Sequence, residues 1–112
     1  MRELYFEDQH IDYIGKGENK FTLFVAFKDD PKLRVIGYLD YSTIDKELYI
    51  DMVEVNEEHR DQGVGKALYR KLHELNADMH YMKSGYYTNA GSHIRKWFEE
   101  EILKNRNTVI IE

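Results

Sequence analysis

One stretch of this 112-residue sequence has residue types and spacing that could do chemistry: Asp51-Met52-Val53-Glu54-Val55-Asn56-Glu57-Glu58-His59-Arg60-Asp61-Gln62-Gly63-Val64-Gly65-Lys66-Ala67-Leu68. A strand-like run ends near Val55, a short polar loop follows, and Arg60-x-x-Gly63-x-Gly65 leads into an amphipathic helical pattern. In physical terms this is an anion cradle. Glycine lets backbone come close to a ligand, and the orphan amides of a helix's first turn, with its dipole, favour phosphate. A pyrophosphate is the natural guest. The plainer alternative is a tight strand-to-helix turn whose glycines serve close packing. Two familiar phosphate loops do not fit. The Walker loop needs Ser or Thr after Gly-Lys and a glycine five residues before that Gly, whereas Ala67 follows Gly65-Lys66 and Arg60 holds the earlier place. The dinucleotide fingerprint needs a third glycine where Leu68 stands.

Composition removes other chemistries. The chain has no cysteine, which excludes thiolate metal sites, cysteine nucleophiles and disulfide scaffolds. His10, His59, His73, His80 and His93 show no metal-ligand spacing, so no metal is expected. With 16 Lys plus Arg against 21 Asp plus Glu, a formal charge of −5, the chain lacks a sequence-wide basic footprint, and nucleic acid is not an expected partner. Glu99-Glu100-Glu101 reads as a solvated helix face that can also attract a cationic substrate. No membrane-length apolar run and no secretory leader are visible, so a cytoplasmic location and no membrane partner are expected.

The elements that must position the loop follow from periodicity. The length suits one domain, residues 1–112. Leu4 to Glu7 reads as a short strand, His10 to Ile14 is ambiguous, and Gly15 to Asn19 reads as a flexible turn. Phe21 to Phe27 has the look of an internal strand, Asp29 to Lys32 of a turn, Arg34 to Tyr41 of a strand, Ser42 to Lys46 of a turn, and Glu47 to Val55 of a third strand. Together the three segments make an antiparallel meander. Val64, Leu68, Leu72, Leu75 and Met79 then form one stripe of an amphipathic helix, with Lys66, Arg70, Lys71 and Glu74 opposite. His80 to Tyr87 reads as a strand with a bend at Ser84-Gly85. A second helix starts after Asn89 or Ser92 and runs through Ile94, Trp97, Phe98 and Ile102, with Trp97 in the core. Thr108 to Glu112 is a terminal strand that can pair within the chain or across a homodimer. The expected class is α+β: a mixed, mostly antiparallel sheet with at least one crossover, a helix after the phosphate loop and a second C-terminal helix.

Arg60-Asp61-Gln62-Gly63-Val64-Gly65, preceded by Val53-Glu54-Val55 and followed by Lys66-Ala67-Leu68, resembles the acyl-CoA loop of the GNAT superfamily of N-acetyltransferases. That pattern is Arg or Gln, two residues, Gly, one residue, then Gly or Ala. The resemblance covers about Phe21 to Ile102, where meander, loop, helix, strand and helix come in the family's order. It implies a strand pair that splays beside the loop, with the pantetheine arm of acetyl-CoA in the opening. Backbone groups of Met52, Val53 and Val55 would bind pantetheine, and amides of Asp61, Gln62, Gly63, Val64, Gly65 and Lys66, after Arg60, would hold the pyrophosphate. Asn89 falls where the family often has a cofactor-contacting asparagine. Lys66 either meets a phosphate or is simply solvated.

The resemblance implies direct attack of a bound amine on the thioester, giving an acetyl-CoA-dependent N-acetyltransferase with a lysine side chain, protein N-terminus or small amine as acceptor. An ammonium with a reference pKa of about 10.4 must first lose a proton, which calls for a base. Glu54 is the leading candidate, since it borders the expected thioester. Strict alternation groups it with Leu48, Ile50 and Met52, so it either faces an apolar side or is turned by a bulge; Asp51 is the second candidate. Each can also be an ordinary solvated carboxylate. The family's tyrosine acid is replaced by Phe98, ahead of Glu99-Glu100, and Phe98 cannot donate a proton. Tyr86 and Tyr87, close to Asn89, are the substitutes unless they serve packing. Phe98 motivates a second reading, an acetyl-CoA or CoA sensor or scaffold without turnover. The segment from Asp8 to Lys20 is short for the helices that select acceptors in the family, so an open acceptor site is expected.

Overall fold

The alternation of apolar and polar residues in the first half of the chain becomes a meander in a computed structural model, which describes residues 2–15, 18–82 and 110–111. Strands β1 (Leu4–Gly15), β2 (Glu18–Phe27), β3 (Val35–Ile44) and β4 (Glu47–Val55) pair antiparallel in sequence order. A short 3-10 turn (Glu57–His59) and helix α1 (Val64–Leu75) lead to β5 (His80–Met82), which pairs parallel with β4. A parallel neighbour demands a crossover, and α1 supplies it. β6 (Ile110–Ile111) pairs parallel with β5, so the sheet order among the described residues is β1-β2-β3-β4-β5-β6. This is the mixed, mostly antiparallel sheet expected.

Three boundaries differ from the sequence reading. β1 does not stop at Glu7; it continues to Gly15, which pairs with Glu18, so Gly15, Glu18 and Asn19 belong to strands and not to a flexible turn. Partners along β2 satisfy its backbone despite a polar local sequence, and a register shift at Ile11 absorbs one residue. β3 extends to Ile44, which leaves only Asp45 and Lys46 for the turn into β4, with Asp45 at φ 54°. The expected second helix, the continuation of β5 beyond Met82, and Tyr86, Tyr87, Asn89 and Phe98 lie outside the described residues.

The core lies between one face of the sheet and α1. Leu23, Val25 and Phe27 of β2, Leu39 and Tyr41 of β3, and Leu48, Ile50 and Val53 of β4 meet Val64, Leu68, Tyr69 and Leu72 of the helix. The helical stripe is wider and shorter than expected. Tyr69 and His73 are buried beside it, whereas Leu75 is 46% exposed. Asn76 ends the helix there, its side-chain amide donating to the Leu72 carbonyl at 3.0 Å. No described helix is long and apolar enough to cross a membrane.

Candidate active site

The site is built where β4 ends, and a β-bulge sets its geometry. Asp40 pairs with Met52 and Tyr41 with Ile50, so Asp51 is an extra residue on β4. An inserted residue shifts the alternation by one. Before it, Leu48 and Ile50 are buried; after it Val53 takes the core position, while Met52 and Glu54 point outward. The bulge itself is tied down, because the Ser42 hydroxyl donates to the Asp51 carboxylate at 2.5 Å. Asp51, the second base candidate, is therefore engaged by β3. Glu54 is exposed, and its Oε2 accepts the Tyr38 hydroxyl at 2.9 Å; the same hydroxyl lies 3.6 Å from the Met52 sulfur. The bond to Glu54 pushes the Tyr38 hydroxyl above its ordinary pKa, with partial burial acting the same way.

Among the described residues, one side of β4 has no strand partner beyond Tyr49. The Asn56 N–H donates to the Ile36 carbonyl at 2.8 Å, which fixes the phase of the β3–β4 ladder. By antiparallel alternation, the N–H and C=O of Glu54 and Met52 turn towards β3, and those of Val53 and Val55 turn away. On that other side, pairing with β5 among the described residues ends at Tyr49 with Met82. Among the described residues the Val53 backbone and the Val55 N–H thus border an edge where an extended ligand can add its own hydrogen bonds, while the Val55 C=O accepts from Arg60 Nε. Of the three backbone positions expected to hold pantetheine, Val53 and Val55 face this edge and Met52 faces β3.

Between β4 and α1 the chain turns sharply. His59 packs edge-on against Phe27, with ring centroids 5.1 Å apart, and this anchors the 3-10 turn to the core. Arg60 folds back, its Nε donating to the Val55 carbonyl at 3.0 Å, and the Gln62 amide reaches the Glu58 carbonyl at 3.3 Å. Asp61 at φ 61° and Gly63 at φ 83° both adopt the left-handed conformation, and Gly63 is the N-cap of α1. Among the described residues no side chain caps that helix, and its first turn contains no acidic residue of its own to compete at the amides of Val64, Gly65 and Lys66. Glu54, Val55, Asn56, Glu57, Glu58 and Arg60 line an open depression of about 620 Å³ beside the loop. The end of β4, the 3-10 turn and Arg60 are thus brought together around one opening, and of residues 60–66 Arg60 alone lines it.

Tyr38, Ser42 and Asn56 were missed by the sequence reading. Register alone could have found Tyr38, since it lies directly across from Glu54. Ser42 became visible only with the bulge. Among the described residues no group of three or more His, Asp or Glu side chains is placed to hold a metal ion.

A family model described as Acetyltransferase (GNAT) family matches residues 1–93. Among solved structures, the chain is similar to a ribosomal-protein-alanine N-acetyltransferase from Brucella melitensis biovar Abortus 2308, with 16% identity and a TM-score of 0.53 over 73% of this chain and 60% of that one. It is also similar to an acetyltransferase from Trypanosoma brucei, with 16% identity and a TM-score of 0.50 over 78% of this chain and 63% of that one. An acetyltransferase from Bacillus cereus ATCC 14579 gives 19% identity and a TM-score of 0.48 over 60% of this chain and 46% of that one. The chain therefore spans about half to three fifths of the length of the solved proteins it resembles. No curated protein matches it.

Proposed function

The chain belongs to the GNAT family of acetyltransferases, and on that premise we propose that it transfers an acetyl group from acetyl-CoA to a primary amine by direct attack on the thioester. One observation carries this reading: α1 begins at left-handed Gly63 with no side-chain cap and no acidic residue in its first turn, and the loop before it is tied through Arg60 to the end of β4, which has no strand partner on its other side among the described residues. The amides of residues 61–66 hold the pyrophosphate of acetyl-CoA, and the Val53 backbone and the Val55 N–H pair with its pantetheine arm. Backbone N–H groups on the same edge meet the thioester carbonyl oxygen. Glu54, at the rim of the depression, takes a proton from the acceptor's ammonium through water. Tyr86 or Tyr87 returns a proton to the departing thiolate, or water does. Among the described residues the acceptor side is open and lined by Glu54, Glu57 and Glu58, which suits a cationic amine on a protein surface, a lysine or an N-terminus, or a small amine.

Calorimetry with acetyl-CoA and CoA tests the shared premise, and absence of binding to either removes it. Thiol release with a panel of amines then tests turnover. A sustained acetyl-CoA-dependent signal with any amine supports the transferase. Tight binding without turnover supports the second reading, a CoA-binding sensor or scaffold, which Phe98 at the usual place of the acid favours. Glu54→Gln that keeps its rate across pH removes Glu54 as the base.

A further inference from the structure

Glu54 has an exposed, flexible side chain, and a base of that kind works only when its carboxylate is held towards the proton it accepts. The sheet supplies a holder. Tyr38 lies directly opposite Glu54 across the β3–β4 ladder, and the bulge at Asp51 puts both side chains on the face away from α1. The Tyr38 hydroxyl donates to Glu54 Oε2 at 2.9 Å and touches the Met52 sulfur at 3.6 Å. Cross-strand neighbours of this kind hold one another's rotamers.

We propose that Tyr38 is a positioning residue whose hydroxyl fixes the Glu54 carboxylate in the orientation from which it accepts the acceptor's proton. This rests on the reading of Glu54 as the base. One ammonium N–H bond breaks, its proton passes through water to a Glu54 oxygen, and the neutral amine keeps the electron pair it needs for attack. The proton on Glu54 then leaves to solvent. The Tyr38 hydroxyl keeps its own proton throughout and serves only as donor. Oε2 is occupied by Tyr38, so Oε1 is the oxygen that takes the proton.

Tyr38→Phe keeps the ring and deletes only the donor, on a residue that is not fully buried. The expected result is a kcat lowered about three- to tenfold with the KM for acetyl-CoA unchanged, the loss that follows from one hydrogen bond to a charged group at a partly exposed site. In a Glu54→Gln background the same substitution costs nothing further, because the carboxylate it served is gone. Independently of turnover, the Glu54 δ-carbon resonance at neutral pH moves from its wild-type position in Tyr38→Phe. An unmoved resonance overturns the hold of Tyr38 on Glu54. An equal loss in the Glu54→Gln background shows that Tyr38 acts elsewhere and overturns the proposal too. Full turnover in Glu54→Gln overturns the reading of Glu54 as base, whatever the resonance does, so the two failures are distinguishable.

Discussion

Gly63→Ala separates the stability of the loop from its ligand binding. Gly63 sits at φ 83° and ψ 7° as the N-cap of α1. A residue with a Cβ pays about 1–2 kcal/mol to adopt the left-handed conformation. If the loop keeps its shape, that cost falls on folding alone, and at this chain length a loss of about 1 kcal/mol lowers Tm by roughly 4 °C. If the loop escapes by rotating Gly63 out of the left-handed region, the first amides of α1 turn from the cradle. Losing one hydrogen bond to a charged phosphate is worth about 1.5 kcal/mol, close to tenfold in Kd. The expected outcome is a lower Tm by scanning fluorimetry and CoA binding weakened roughly three- to tenfold by calorimetry. Acetyl-pantetheine, which lacks the pyrophosphate, binds the variant and the wild type alike. Equal weakening of acetyl-pantetheine and CoA would refute the assignment of the phosphates to this loop. An unchanged Tm would refute the strain argument.

The helix–sheet interface predicts that Leu68→Ala, which empties a fully buried site, costs about 2–5 kcal/mol in urea unfolding, while Leu75→Ala, half exposed, costs under about 1 kcal/mol. At Gly37 a Cβ would stand 3.0 Å from the Glu54 carbonyl oxygen and 3.4 Å from Val25; Gly37→Ala is expected to lose about 1–3 kcal/mol by overpacking, read as a shift in the unfolding midpoint. Tyr41 is buried and its hydroxyl donates to both oxygens of Asp8 at 2.8 Å, so Tyr41→Phe leaves a partly covered carboxylate without that donor and costs about 1 kcal/mol by the same measurement. The acid side of the stability profile follows from three carboxyls held below their ordinary value of 3.8: exposed Asp29 by the Arg2 side chain, largely covered Asp30 by the Lys32 amide and then Arg34, and exposed Asp78 by Lys46. A lowered folded-state value means their contribution is fully present above about pH 4 and is lost as pH falls through the folded values. Asp8, raised by burial, runs the opposite way, so urea midpoints are expected to fall between pH 5 and pH 2.5 and to fall more steeply in Asp8→Asn.

The meander was legible in the sequence because Leu23, Val25 and Phe27, then Leu48 and Ile50, alternate cleanly into the core. Glu47 to Val55 is the observed β4, residue for residue. The loop was legible because glycine at position 63 answers a backbone need that no other residue type meets as cheaply. What escaped depended on partners distant in sequence. The eight polar or ambiguous positions after Glu7 form a strand because β2 offers them a ladder, which no local pattern announces. Leu75 continued the helical stripe in spacing, yet the helix ends beside it, and burial passed to Tyr69 and His73. His73, outside the expected stripe, is buried where its Nδ1 lies 3.2 Å from the hydroxyl of Tyr81, which arrives from β5.

The side on which Glu54 lies was a question the sequence left open in both directions, and the bulge answers it with a physical reason. Without an inserted residue, the face of Leu48 and Ile50 would carry Glu54 towards α1, where a carboxylate among aliphatic side chains pays desolvation with no partner. One extra residue at Asp51 exchanges the faces, so Val53 fills the core and Glu54 meets Tyr38 outside. The insertion would be unfavourable if it merely buried a second carboxylate, but Ser42 satisfies Asp51 at the point where alternation breaks. The same change of phase also directs the backbone of Val53 and Val55 to the side of β4 away from β3, where no strand pairs with them among the described residues. A core requirement and a requirement of the proposed site are therefore met by one residue. The bulge is a structural necessity for packing β4 against α1, and the proposed chemistry uses the surface that necessity creates.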